Sequence, residues 1–302
     1  MSLNKYSCSK YFIWDSFFLL KARMEKLTDK ELHALVSLLD DPDHEVKSHV
    51  KDRIISLGND IIPFLEKKWE DSFNPTVQKE IEELVHELQF GQLKERLITW
   101  KQSEEQDLLS GLWIINTYQY PDIEFDQLNG EMHQIYFEVW TAFKNGLQPY
   151  DQVRIINNIL FSQLKFSANT KNFHSPGNSM LSNVISSKKG NPITLCAIYL
   201  LVAQKLGLPV YGVNLPNLFV LIYKTEESSF YINAFNKGLI FSRSDINNYL
   251  EHLKITPKDE FFEPCNNMDI IQRILRNLIV SYERISDREK ADEIKELLAL
   301  IS

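Results

Sequence analysis

The sequence predicts an α+β protein: one helix buried in the interior, packed on an antiparallel sheet, with helical regions before and after it. Residues 192–206 carry only Thr194, Tyr199, Gln204 and Lys205 as polar side chains. A helix that is apolar around its whole circumference has to be enclosed by protein. Three short runs follow, 210–215, 218–223 and 230–235, rich in Val, Ile, Phe and Tyr and separated by polar turns, which is the pattern of strands. Elsewhere apolar residues recur at intervals of three and four, the period of helices.

Residues 1–27 are an N-terminal segment. Its aromatic stretch 11–20, YFIWDSFFLL, is too short to span a bilayer and is interrupted by Asp15. It lacks a small-residue cleavage site, so it reads as an amphipathic first helix, a docking segment or a stretch ahead of a start at Met24, not as a signal peptide.

Residues 28–169 read as a helical domain. Thr28 with Glu31 makes a capping box, followed by Leu32, Leu35, Val36 and Leu39 on one face. Asp41 before Pro42 is a second start signal, and Val46, Val50, Ile54 and Leu57 form a stripe that stops at Gly58. Asn74 before Pro75 caps another helix. The LLDDPDHEV element and the LG-x-x-II-P-x-L that follows resemble one HEAT-type unit, which has to pack on its neighbours because a lone unit cannot bury its own face.

Residues 170–257 form the core. The turn-rich NFHSPGNSMLSNVISSKKG leads into the central helix, which Asn191 caps, Pro192 opens, Gly207 stops and Pro209 keeps from resuming. A short helix capped at Ser242 or Ser244 follows the strands. Residues 258–302 hold two further helices, the second with Ser286 and Glu289 as a capping box, and the pair resembles a TPR-type hairpin.

Composition excludes several function classes. Hydrophobic content of 44% with 25% charged residues is that of a soluble globular protein. Lys and Arg total 33 against 41 Asp and Glu, a net charge of -8, and no basic run exceeds a Lys-Lys pair, so nucleic acid is a poor partner. Cys8, Cys196 and Cys265 are far apart and make no C-x-x-C, which suits a reducing, cytoplasmic setting. His44 and His49 are five apart and do not share a helix face as a metal pair must. With no P-loop and no G-x-G-x-x-G either, neither metal nor cofactor is expected.

Cys196 is the one side chain with latent chemistry. A thiol becomes a nucleophile when ionised, which a helix N-terminus or a nearby His promotes. Cys196, however, stands a full turn beyond Pro192 among Leu195, Ala197 and Ile198, where a free cysteine behaves as a small hydrophobe.

The motifs N-S-M-L-S-N-V-I, K-K-G-N-P-I-T-L, Y-L-L-V-A-Q-K-L-G-L-P-V, G-V-N-L-P and F-Y-I-N-A-F-N-K-G, in that order, resemble the bacterial SirB branch of the transglutaminase-like superfamily. The resemblance runs from about Thr28 onward. It implies a papain-like core, a buried helix against an antiparallel sheet. In enzymes of the wider superfamily a nucleophilic Cys lies at the start of that helix, with His and Asp on the following strands. By that alignment the Cys position falls on Pro192 or Ile193, the His position on Leu218 and the Asp position on Asn233, with Leu218 and Asn233 on neighbouring strands and turned toward Pro192. None of these side chains is titratable, so the resemblance leaves all three catalytic roles vacant.

The expected function is therefore that of a non-catalytic binding or scaffold protein for a protein or peptide partner. The alternative is a cysteine-dependent acyl transferase or peptidase that uses Cys196 with His174 as its base. A regulator of gene expression acting through protein contacts is a third reading.

Overall fold

The computed structural model describes residues 27–302 apart from residue 145. The expectations for the stretch 11–20 and for Cys8 lie outside the described residues. The chain divides into two compact units, Met1–Leu88 and Gln89–Ser302.

In the first unit α1 (Asp29–Ser37), α2 (His44–Leu57), α3 (Ile62–Asp71) and the start of α4 (Pro75–Gln102) enclose Leu39, Ile54, Ile61, Leu65, Val77 and Ile81. The Thr28–Glu31 capping box forms. The cap of α2 is Asp43, not Asp41: the Asp43 carboxylate accepts from Glu45 N at 2.8 Å, while Asp41 accepts from Asp43 N at 2.9 Å and shapes the turn ahead of it. Asn74 Oδ1 accepts from Thr76 N at 3.0 Å and opens α4 beside Pro75.

The second unit begins with the remainder of α4, then α5 (Leu108–Asn116), α6 (Phe125–Ala142) and α7 (Pro149–Asn157), which runs on into a π-helical stretch, Asn158–Gln163. Two short strands, β1 (Ser167–Ala168) and β2 (Lys189–Gly190), pair in parallel around α8 (Leu181–Ser187). Then come α9 (Pro192–Lys205), an antiparallel meander of β3 (Val210–Leu215), β4 (Leu218–Lys224), β5 (Ser229–Asn233) and β6 (Leu239–Phe241), and α10 (Arg243–His252), α11 (Asn267–Arg284) and α12 (Arg288–Ile301). The fold is thus α+β, a buried helix on an antiparallel sheet with helices at either end of the chain.

The central helix is as enclosed as its composition requires. Ile193, Cys196, Ala197, Tyr199, Val202 and Ala203 are 0% exposed. Gly207, at φ 72, provides the left-handed stop just past the cap residue Leu206. The sheet has two apolar faces. Phe219, Leu221, Tyr223, Phe230 and Ile232 share the main core with α9, whereas Val213, Leu215, Val220, Ile222 and Tyr231 pack with Ile246 and Leu250 of α10.

Several boundaries differ from the sequence reading, each for a local reason. The third strand stops at Asn233 because its carboxamide accepts from Asn236 N at 3.1 Å and turns Ala234–Asn236 into a 3-10 helix. Strand β6 is only three residues long, below the length at which alternation shows. The α12 cap is Asp287, since Ser286 sits at φ 63 and a cap residue takes an extended backbone. Helices from 89–169 and the C-terminal pair share one buried cluster with the core, so the compact division falls after Leu88 and not at 169 or 257.

Two close approaches fix the sheet's ends. Cys265 N donates to Gly212 O at 2.8 Å along the outer side of β3, and a Cβ on Gly212 would press on the Phe219 ring and Cys265 Sγ. Gly238 has φ 75, and a Cβ there would strike the Asn157 carboxamide, whose Nδ2 donates to Gly238 O at 2.8 Å.

Candidate functional site

The loop between β1 and α8 is tied down by asparagines. Asn178, 2% exposed, donates from Nδ2 to Asn172 O at 2.7 Å and to Phe173 O at 3.0 Å, and its Oδ1 accepts from Asn169 Nδ2 at 2.8 Å. A carboxamide carries two N–H donors, and this one buried side chain uses both on loop carbonyls. Ser179 follows, and its Oγ accepts from Asn191 Nδ2 at 2.9 Å. The other end of that carboxamide, Asn191 Oδ1, accepts from Thr194 N at 3.0 Å and caps α9. One residue thereby joins the loop to the helix start.

At that start the first helical residues are Pro192 and Ile193, the latter fully buried. Thr194 Oγ1 and Tyr199 OH are buried polar atoms with no hydrogen-bond partner among the described residues. Burial drives the Tyr199 hydroxyl well above the ordinary phenol range.

Cys196 lies one turn further in. Its Sγ donates to Phe219 O at 3.6 Å, and burial pushes the thiol far above a free cysteine's range, with the Ala234 backbone opposing only in part. Near neutral pH it holds its proton. His174 is half-buried in the asparagine-pinned loop, where its ring meets Phe173 edge-on at 5.0 Å, and Phe173 in turn meets Phe235 at 6.0 Å. Among the described residues no hydrogen bond joins His174 to Cys196.

Leu218 and Asn233 share a face, but on the other side of the sheet. Leu218 packs with the cluster under α10. Ile222 pairs with Tyr231, both on that face, and side chains alternate along a strand, so Asn233 falls on it too. The sequence reading turned both toward Pro192; the register gives the α9 side to Phe219, Leu221 and Ile232 instead.

The asparagine network was missed in the sequence. Its only signal was the five Asn from 169 to 191, in a turn-rich stretch where solvated loop residues are equally common. Two hollows open on this unit. One of about 340 Å³ is bounded by Tyr120, Pro176, Gly177, Tyr282 and Lys290, and one of about 380 Å³ by Trp140, Phe143, Lys144 and Leu206. Among the described residues no helix is long and apolar enough to cross a membrane.

The sequence pattern of the transglutaminase-like superfamily matches residues 126–276. Among curated relatives, the UPF0162 protein of Xylella fastidiosa is 27% identical over 195 residues, covering 62% of this chain and 69% of that protein. The UPF0162 protein of Vibrio cholerae is 22% identical over 188 residues, 60% of this chain and 69% of that one. F-box only protein 21 of Mus musculus is 30% identical over 151 residues, 47% of this chain but 23% of that protein. No solved structure matches the chain.

Proposed function

Because this chain belongs to the transglutaminase-like superfamily, we propose that it keeps the superfamily's core as a scaffold for binding a protein or peptide and does not use it for acyl transfer. The observation that carries this reading is Cys196, fully buried, bonded to a backbone carbonyl and held protonated by its surroundings. Acyl transfer by a thiol needs a thiolate in reach of both substrate and base. The positions that align with the catalytic Cys, His and Asp hold Pro192 or Ile193, Leu218 and Asn233, none of which titrates. General acid-base catalysis typically contributes about 100- to 10,000-fold, which these residues forgo.

The order of the motifs from N-S-M-L-S-N to F-Y-I-N-A-F supports the SirB branch. The helical runs in 28–88 and the pair α11 and α12 support HEAT-like and TPR-like surfaces, which offer long helical faces to partners. That F-box only protein 21 of Mus musculus devotes only 23% of its length to the shared region favours a module serving within larger protein assemblies. The reading calls for no cofactor or metal, and the cysteine distribution favours the cytoplasm.

The test is an acyl-transfer assay on a glutamine peptide with an amine acceptor, run beside alkylation of the folded protein. Neither turnover nor stoichiometric labelling of Cys196 is expected near neutral pH. Turnover abolished by Cys196→Ala would overturn the proposal in favour of a cysteine enzyme.

A further inference from the structure

The β3–β4 turn is held by two side chains from outside the sheet. Arg273 of α11 donates from Nη1 to Asn214 Oδ1 at 2.7 Å and to Leu215 O at 3.2 Å, and Tyr249 of α10 donates to Pro216 O at 3.0 Å. Arg276, one turn along α11, is exposed and donates from Nη2 to Gln272 Oε1 at 3.2 Å. All of these acceptors are neutral. Among the described residues neither guanidinium is in an ion pair, although the chain has 41 acidic residues against 33 basic ones.

That arrangement is costly for Arg273. It is half-buried, and burial together with the neighbouring Arg276 holds it below the usual arginine range, opposed by Tyr249. Like charges on adjacent helical turns repel unless an anion lies between them. Among the described residues, each guanidinium still has Nε and one terminal nitrogen without a bonded acceptor. Helix α11 also packs on α9 and on the Pro176–Ser179 turn, which carries Ser179, the partner of the α9 cap.

We propose that Arg273 and Arg276 together form a receptor for a carboxylate presented by the protein or peptide partner. The site lies where α11 meets the β3–β4 turn. The inference rests on the binding reading above and adds to it the chemistry of recognition. A planar guanidinium matches a carboxylate with two parallel N–H bonds, and with one arm of Arg273 spent on Asn214 and Leu215, its remaining edge is held in place for the ligand.

The test uses the full chain labelled with 15N-arginine, with ionic strength fixed by sodium chloride. The probes are acetyl-glutamyl amide for a side-chain carboxylate, acetyl-glycine for a chain-terminal one, and inorganic phosphate. The Nε signals of Arg273 and Arg276 are expected to move saturably with one or both carboxylates while those of Arg154 and Arg284 do not, and the tighter probe names the source. Arg276→Gln should weaken binding about tenfold and leave thermal unfolding unchanged, since losing a charge-assisted bond is worth about that factor and, among the described residues, Arg276 bonds only Gln272. Shifts alike for all arginines, tighter binding of phosphate, or equal binding by Arg276→Gln would each overturn the proposal. A native partner that binds both forms equally would leave the scaffold standing and remove only the carboxylate site. Saturable carboxylate binding alongside Cys196-dependent turnover would do the reverse.

Discussion

The Cys196 thiol has no solvent to stabilise its anion, and that has a measurable pH signature. With its ionisation pushed far up in the native state, the folded chain keeps a proton that the unfolded chain loses above about pH 8.5. Its contribution to stability is complete below that pH and falls as the pH rises further. Cys265, pushed up to about 12 by burial first and by Asp269 second, acts with the same sign. Urea midpoints between about pH 7 and 10 should therefore decline, and decline less steeply in Cys196→Ala. At Gly238 the backbone has φ 75 and the Asn157 carboxamide fills the space a Cβ would take. Gly238→Ala is expected to cost about 2 kcal/mol or more, read from a denaturant midpoint with unchanged slope. Gly238 could be seen in the sequence only as a turn residue. Its true constraint is an asparagine more than eighty positions away, which no local pattern announces.

Helix α9 was the most legible element, because Asn191, Pro192 and Gly207 act within four residues of themselves and its apolar circumference leaves no choice of environment. The faces of β4 were not legible. In LFVLIY every position is apolar, as befits a strand covered on both sides, so alternation cannot say which residues meet α9. Leu218 accordingly took the α10 side, and an alignment by motif could not foresee it. The short β6 and the two-residue β1 and β2 exist through tertiary pairing alone. Asn191 tests the link between helix and loop. Asn191→Ala loses both the cap to Thr194 N and the bond to Ser179, and should destabilise the protein by about 2 kcal/mol. Asn191→Asp keeps the cap, and the Ser179 hydroxyl can rotate to donate to it, so its loss should be smaller in the same urea titration.

Each compact unit has its own buried cluster, one around Leu39, Ile54 and Leu65, the other around α9 and the sheet. Equilibrium unfolding should accordingly depart from a single two-state transition. Leu65→Ala, at a fully buried position, should cost about 2 to 5 kcal/mol and shift the transition reported by Trp69 more than that reported by Trp100. The sequence placed helices on either side of the core but set the division at 169, because helical periodicity says which face is buried and not what it is buried against. At this scale the hydrogen bond from Cys265 to Gly212 O has a further consequence. It fills the middle of the outer rim of β3, and the opposite rim, β6, is three residues long. Exposed strand rims are where foreign chains zip on, either as bound peptides or as the first step of aggregation. This sheet offers little such template, so it resists runaway strand pairing, and a partner has to read side chains instead of extending the ladder.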